Sequence, residues 1–124
     1  MNGKILLFGF ESLMSILSLD AAVKPLGIEL VPVARADYNR TLAVLAGLET
    51  DSGPSVPYNG IGLGGQMMVL CNLQDKLETV LPVLNSAGVG PQCLKAVLTP
   101  SNRSWTPMVL YGELAREHNA MQGR

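Results

Sequence analysis

The run Lys4-Ile5-Leu6-Leu7-Phe8-Gly9-Phe10 is almost wholly apolar, and a charged residue and a glycine mark its two ends. A short continuous apolar run with such ends predicts a strand that is buried on both faces. A second run of this kind is Met67-Met68-Val69-Leu70-Cys71. Two further strand candidates, residues 28–33 and 94–99, are more mixed in polarity. We therefore predict a four-stranded parallel α/β sheet in the order 2-1-3-4, with the two apolar strands at its centre.

Each predicted strand is followed by a segment with helical features. Ser12 is a candidate N-cap for a helix whose Leu13, Ile16, Leu17, Val23 and Leu26 can share one face. The second helix is predicted to begin at Asp37 or Asn39. The third is predicted to begin at Asn72 and to be kinked at Pro82. The fourth is predicted to begin at Thr106 and to end near His118. Four helices suffice to cover both faces of the sheet.

The order of elements repeats, which predicts an internal duplication of residues 4–48 and 67–119 around a Gly/Pro-rich loop, residues 49–66. In both halves an Asn-Arg pair, Asn39-Arg40 or Asn102-Arg103, precedes the second helix. Parallel strands would gather both pairs at one edge of the sheet, beside one crevice. The alternative is a ferredoxin-like α+β sheet in the order 4-1-3-2 with added helices, which would separate the two pairs.

The composition predicts one globular domain over residues 1–124 and excludes several classes. With 48% apolar residues, 15% charged residues and a net charge of −1, the chain is neither disordered nor attracted to nucleic acid or anionic membranes. No apolar run reaches the roughly 18 residues of a membrane span, so we expect a cytoplasmic protein. Cys71 and Cys93 form neither a disulfide framework nor a zinc motif, and we interpret them as buried, inert thiols.

The segment Lys95-Ala96-Val97-Leu98-Thr99-Pro100-Ser101-Asn102-Arg103-Ser104-Trp105 resembles a small bacterial family that is known only as a domain of unknown function. The resemblance extends over nearly the whole chain and includes residues 4–10 and 37–42. The family has no established activity or ligand, so the resemblance implies no site residue. Pro82 and the glycine content of residues 49–66 depart from its pattern.

The two Asn-Arg turns are the best candidates for a binding site. Backbone N–H groups and an arginine at the start of a helix can hold a carboxylate or a phosphate, and Trp105 can stack on a planar ligand. The predicted ligand-binding residues are Asn39, Arg40, Thr99, Asn102, Arg103 and Trp105. The competing interpretation is a capped turn in which Asn102 bonds to its own backbone and Trp105 packs in the core.

Other motifs carry less. Residues 60–65 formally match G-x-G-x-x-G, but a dinucleotide site must follow a strand and open a helix, whereas this motif precedes a strand. Gly62, Gly64 and Gly65 are interpreted as part of a flexible loop or lid. His118 lacks partners at catalytic or ligand spacing, and no catalytic residue, metal site or cofactor is predicted.

Two functions from different classes fit these observations. The first is a non-enzymatic module that binds a small anionic ligand or a protein partner. The second is a small enzyme whose active site is assembled between two copies of the chain, since a domain of this size cannot easily enclose a substrate alone. The sequence does not decide whether the protein is an enzyme. It predicts no nucleic-acid or membrane partner and leaves a homodimer open.

Overall fold

The computed structural model describes residues 3–50, 56–90 and 92–122, with side chains described as far as residue 118. The four strands are β1 (Lys4–Phe8), β2 (Glu29–Pro32), β3 (Met67–Cys71) and β4 (Leu94–Val97). The four α-helices are α1 (Leu13–Val23), α2 (Leu42–Leu45), α3 (Leu77–Ser86) and α4 (Pro107–Gln122). Single 3-10 turns at residues 24–26, 35–37 and 74–76 adjoin α1, precede α2 and lead into α3.

The sheet has the order β2-β1-β3-β4, which confirms the predicted α/β class and strand order. Its direction is mixed, however, because β1 pairs parallel with β2 and β3 parallel with β4, whereas β1 and β3 are antiparallel. The prediction of a fully parallel sheet is therefore wrong. The ferredoxin-like order 4-1-3-2 is not observed either.

The long loop before β3 accounts for the reversed direction. At the end of α2 the Ala46 carbonyl accepts a hydrogen bond from Lys4 Nζ, so the chain there lies beside the start of β1. At Gly65 the chain is at the opposite end of the strands, where the Gly65 carbonyl lies close to Gly9 at the end of β1. β3 then runs back down the sheet. Apolar strand composition shows burial on both faces but carries no information about this return path.

Two hydrophobic clusters lie on the two faces of the sheet, because alternate residues of a strand point to opposite faces. On the first face, Ile5, Leu7, Met68 and Leu70 pack with residues of α1 and α3. On the second face, Leu6, Phe8, Met67, Val69 and Cys71 pack with Tyr38, with Leu42 of α2 and with Leu110 of α4. Helices thus cover both faces, as predicted.

The helix ends follow local chemistry in some places and tertiary contacts in others. The Ser12 hydroxyl accepts a hydrogen bond from the Ser15 N–H and caps α1, as predicted. α2 begins later than predicted, because Thr41, rather than Asp37 or Asn39, caps it through the Val44 N–H. Asn72 does not cap a helix: its backbone is left-handed, with φ 59°, and a 3-10 turn separates it from α3. α3 passes through Pro82 and extends to Ser86.

The orientation of α1 matches the prediction only in part. Val23 is buried and Ile16 and Leu26 pack against the first cluster, as predicted, whereas Leu13 and Leu17 point outward and are 68% and 52% exposed. α1 contains apolar or small residues on nearly every side, so its sequence pattern did not determine which stripe would face the sheet.

Among the described residues, no helix combines the length and the apolar character that crossing a bilayer requires. Common descent of the two halves stays a prediction.

Candidate functional site

The turn between β4 and α4 is held together by one asparagine. Asn102 Oδ1 accepts a hydrogen bond from the Thr99 N–H at 2.9 Å, and Asn102 Nδ2 donates to the Val97 carbonyl at 3.0 Å. In return, the Thr99 hydroxyl accepts from the Asn102 N–H at 3.1 Å. Asn102 is only 8% exposed. Both ends of its amide are therefore engaged by the turn itself, in the way that asparagine side chains commonly organise turns.

The same turn also closes the N-terminal end of α2. The N–H groups of Leu42 and Ala43 donate to the carbonyls of Trp105 and Arg103, both at 2.9 Å. The first N–H groups of a helix have no partner inside the helix, and here a distant segment provides one. Residues 99–105 thus tie the second half of the chain to the first. The Trp105 side chain is half-buried and packs against the cluster on the second face.

Arg103 lines a cavity of about 230 Å³ beside this turn, at the edge of the sheet where β3 and β4 end. We call it the Arg103 cavity. Its polar lining residues are Asn72, Gln74 and Arg103, and its remaining lining residues are Ala46, Leu48, Cys71, Leu98 and Pro100. The Arg103 guanidinium donates to Glu49 Oε2 at 3.2 Å. Both side chains of this ion pair are about half exposed, at 41% and 53%.

Cys71 lies in the wall of the Arg103 cavity as a buried free thiol. Burial raises the pKa of Cys71 to about 11, and the nearby Lys4 ammonium offsets only part of that effect. Burial likewise raises the pKa of Cys93 to about 11, against a smaller opposite effect from Lys95. Both thiols are protonated at neutral pH, and since the thiolate is the reactive form, both are poor nucleophiles. The prediction that both thiols are buried is confirmed, and their inertness stays a prediction.

The first Asn-Arg turn, Asn39-Arg40, does not line the Arg103 cavity. Arg40 lines a different cavity of about 330 Å³, together with Asp37 and residues at the end of β2. Asn39 Nδ2 donates to the Val56 carbonyl at 2.9 Å. Because β1 and β3 are antiparallel, β2 and β4 end at opposite edges of the sheet. Arg40 and Arg103 thus line different cavities, although α2, which begins two residues after Arg40, is bonded to the Trp105 carbonyl. A shared crevice for the two pairs and ligand binding by Asn39, Arg40, Thr99, Asn102, Arg103 or Trp105 both stay predictions.

The glycine-rich loop lies far from the Arg103 cavity. A Cβ atom at Gly64 or Gly65 would lie 3.3 or 3.2 Å from the Tyr111 hydroxyl, so the loop there lies closely against α4. Gly62 lies near the Arg35 side chain. Gly65 precedes β3 and Asn72 follows it, which puts them about 20 Å apart along the strand direction. A lid made by Gly62, Gly64 and Gly65 would therefore not close over the Arg103 cavity.

Metal ligands do not gather in the described parts of the chain. Within residues 3–50, 56–90 and 92–122, no group of three or more His, Cys, Asp or Glu side chains has the arrangement that holds a metal ion. His118 lies near the C-terminal end of α4 and is half-buried.

Sequence reasoning missed Leu48, Asn72 and Gln74, which line the Arg103 cavity, and Glu49, the ion-pair partner of Arg103. The sequence predicts Asn72 as the start of a helix. One available signal was that Asn72 and Gln74 are polar residues directly after a buried strand, as Thr99 and Asn102 are after β4. Their proximity to Arg103 depends on the parallel pairing of β3 with β4, which brings both strand ends to one edge.

Comparison with known proteins finds a similarity in the second half of the chain. No curated protein and no solved structure matches the chain. The segment that does match a family includes β3, α3, β4 and most of α4, and with them the Arg103 cavity residues from Cys71 to Arg103. The predicted resemblance to an uncharacterised family is thus confirmed over just under half of the chain: residues 66–121 match the family described as Domain of unknown function (DUF3783).

Proposed function

We propose that this protein is a small-ligand-binding module that holds a short organic anion, with a carboxylate and an apolar tail, in the Arg103 cavity. The observation that carries the proposal is the position of Arg103, whose guanidinium is at the rim of a cavity with mostly apolar walls. Ligand sites commonly combine an apolar lining with a few polar groups that fix the orientation of the ligand.

The chemistry of the lining selects the type of ligand. Arginine offers a planar pair of N–H donors that matches the two oxygens of a carboxylate. Leu48, Leu98 and Pro100 provide apolar surface for a hydrocarbon portion of the ligand. A ligand with one charged end and one apolar end satisfies both parts of the lining, whereas a fully ionic ligand such as inorganic phosphate satisfies only one.

The volume of the cavity limits the size of the ligand. At about 230 Å³, it is smaller than the ≈ 300–1,000 Å³ that is usual for drug-sized ligands. A dinucleotide is too large for this space. The expected ligand is of the size of a short-chain fatty acid or a small amino acid derivative.

Glu49 lies at the position beside Arg103 that the carboxylate of the proposed ligand would take. Its carboxylate is bonded to Arg103 at 3.2 Å, but both partners are about half exposed. Exposed ion pairs of this kind contribute about 0–1 kcal/mol. Replacing the Glu49 carboxylate by a ligand carboxylate that also buries a hydrocarbon tail is therefore favourable.

The state of Cys71 supports binding rather than covalent chemistry at this site. The raised pKa of Cys71 keeps its thiol protonated at neutral pH, so the thiol forms part of the apolar wall. The alternative of an enzyme with an active site between two copies of the chain stays a prediction.

The proposal is tested with a series of carboxylates of increasing length: acetate, butyrate and hexanoate. We expect calorimetric titration to show binding that strengthens from acetate to hexanoate, because each added CH₂ group buries apolar surface worth about 0.8 kcal/mol. We expect Arg103→Gln to weaken hexanoate binding by about 10- to 100-fold, the range for losing a hydrogen-bonded charge. Inorganic phosphate should bind no more tightly than acetate.

Arg116→Gln is the matched control. Arg116 also forms an exposed ion pair, with Glu113 at 3.0 Å, but it lies on α4 and does not line the Arg103 cavity. The proposal requires that Arg116→Gln binds hexanoate like the unmodified protein. Equal losses in the two variants, or no binding of any carboxylate by the unmodified protein, would overturn it.

A further inference from the structure

α1 exposes an apolar surface that the Arg103 cavity does not explain. Leu13, Met14 and Leu17 are 68%, 71% and 52% exposed and adjoin one another on the outer side of the helix. Asp20 is the one charged residue between Leu13 and Val23. Monomeric proteins rarely leave a contiguous apolar patch of this kind in water, and such patches commonly mark interaction sites. α1 lies on the first face of the sheet, opposite the face that α2 and α4 cover.

A groove adjoins this ridge of large side chains. It has a volume of about 510 Å³ and lies between α1 and α3. The small residues Ser18, Ala21 and Ala22 form its α1 side, and Pro82, Val83, Ser86 and Ala87 form its α3 side. One face of the molecule thus carries an apolar ridge and, beside it, an apolar groove. A surface with both features can accept a second copy of itself, since each ridge then meets the groove of the other copy.

The register of such a pairing follows from the spacing along α1. If two α1 helices cross antiparallel between Leu17 and Ser18, Leu17 of one copy lies at the level of Ser18 of the other. In the same arrangement, Met14 lies at the level of Ala21. Each large exposed residue therefore meets a small residue that lines the groove, which is the packing of ridges into grooves that brings helices together.

The charges at the two ends of α1 agree with the same register. Glu11 lies just before α1 and Lys24 just after it, and both are exposed. An antiparallel crossing between Leu17 and Ser18 puts Glu11 of one copy at the level of Lys24 of the other, on both sides of the two-fold axis. Opposite charges at the rim of an interface favour the correct register over shifted ones.

We propose that this face of α1 and α3 is the interface of a symmetric homodimer, in which two α1 helices pack antiparallel with their crossing point between Leu17 and Ser18. The ridge, the groove and the end charges all lie on one helix or beside it, so one two-fold arrangement satisfies all of them. The interface lies on the first face of the sheet and is independent of ligand binding in the Arg103 cavity.

The first test measures the molar mass of the protein by sedimentation between about 1 µM and 1 mM, the range that separates weak from moderately tight dimers. We expect a concentration-dependent dimer, and we expect Leu17→Lys to weaken it by at least about 30-fold, the size of a hot-spot loss. Val109→Lys is the matched control, because Val109 is an apolar residue of α4 that is 50% exposed and lies outside this face. It should dimerise like the unmodified protein.

The second test reads out the register through disulfide formation. We expect an equimolar mixture of Met14→Cys and Ala21→Cys to form a crosslinked heterodimer on mild oxidation. Either variant alone should not crosslink, because copies of the same position are then about 10 Å apart along the helix axes, beyond the ≈ 7 Å Cα separation that a disulfide spans. Cys71 and Cys93 are buried and do not compete.

Three outcomes would overturn the proposal. One is a protein that stays monomeric over the whole concentration range, which would assign the face to a different partner. Another is a dimer that Leu17→Lys and Val109→Lys affect equally. The last is crosslinking of Met14→Cys with itself, which would show a different register.

Discussion

At the scale of single residues, Asn102 shows how a side chain with the chemistry of a binding group can serve the fold instead. Its Oδ1 and Nδ2 atoms bond to the backbone of Thr99 and Val97, and the residue is nearly inaccessible to solvent. Arg103, the next residue, points to the cavity rim and keeps an exposed, exchangeable partner. Adjacent positions of one sequence motif therefore have different roles in the structure, since Asn102 holds the turn and Arg103 lines the cavity.

Replacing Asn102 by alanine is expected to destabilise the protein by about 2–3 kcal/mol. Two backbone groups in part-buried hydrogen bonds, the Thr99 N–H and the Val97 carbonyl, would lose their partner, and an unsatisfied buried group costs about 1–3 kcal/mol. The measurement is the free energy of unfolding from urea denaturation. Asn85→Ala, at an exposed position of α3, is the control and should change stability by less than about 0.5 kcal/mol. Equal effects of the two substitutions would show that the amide of Asn102 does not hold the turn.

At the scale of secondary-structure elements, the junctions carry constraints that the elements do not. Gly9 follows β1 with φ 77°, in the left-handed region, and a Cβ atom there would lie 2.7 Å from the Gly65 carbonyl oxygen. Gly27 has nearly the same backbone conformation, with φ 73°, but no atom lies within 4 Å of its Cβ position. A comparison of substitutions at the two glycines therefore distinguishes the cost of backbone strain from the cost of contact with a second chain segment.

We expect Gly27→Ala to cost about 1–2 kcal/mol, the penalty for a side chain in the left-handed region. Gly9→Ala should cost about 1–3 kcal/mol more, because the added methyl group also forces the start of β3 away from the end of β1. Thermal or urea unfolding of the two variants in parallel measures the difference. If both lose the same stability, the loop before β3 does not press against β1 as the structure shows.

The elements themselves were largely predictable from the sequence, whereas their directions were not. The apolar runs at β1 and β3 identified both central strands, and Ser12 identified the start of α1. The direction of β3 depends on a loop that crosses the height of the sheet, and no local pattern records that path. Leu13 and Leu17 were also predicted on the wrong side of α1, because a helix that is apolar all round has no distinct inner stripe.

The same reasoning explains how much of the candidate site was found in advance. Arg103 was identified because it lies in a polar turn after a strand, which is a local signal. The partners that surround it, Leu48, Glu49 and Asn72, come from the other half of the chain or from the neighbouring strand. They meet Arg103 through the parallel pairing of β3 with β4 and through the return of α2 to that edge of the sheet. Such contacts are set by topology, so they become visible only with the fold.

At the scale of the whole molecule, the sheet places its most apolar strands where they are paired on both sides. β1 lies between β2 and β3, and β3 lies between β1 and β4. Nearly all residues of β1 and every residue of β3 are buried. β2 and β4 each have one unpaired edge, and both are only partly buried. Water therefore reaches the backbone amides of the central strands only when the hydrophobic clusters on both faces of the sheet are disrupted. The amides of the outer strands become exposed through local opening alone.

This arrangement predicts a hierarchy of amide hydrogen exchange. Amides of β1 and β3 should exchange only through global unfolding, with an opening free energy equal to the total stability of the protein. Amides of β2 and β4 should open at a lower free energy. The exchange protection of the Leu42 and Ala43 N–H groups should depend on the stability of the turn at residues 99–105, because carbonyls of that turn accept their hydrogen bonds. Native-state exchange measured by NMR at increasing denaturant resolves these classes, and Asn102→Ala should lower the protection of Leu42 and Ala43 more than that of β1. Equal protection of all four strands would show that the outer strands open only together with the central ones. Loss of protection at Leu42 and Ala43 without any change in residues 99–105 would contradict the inference that this turn holds the start of α2.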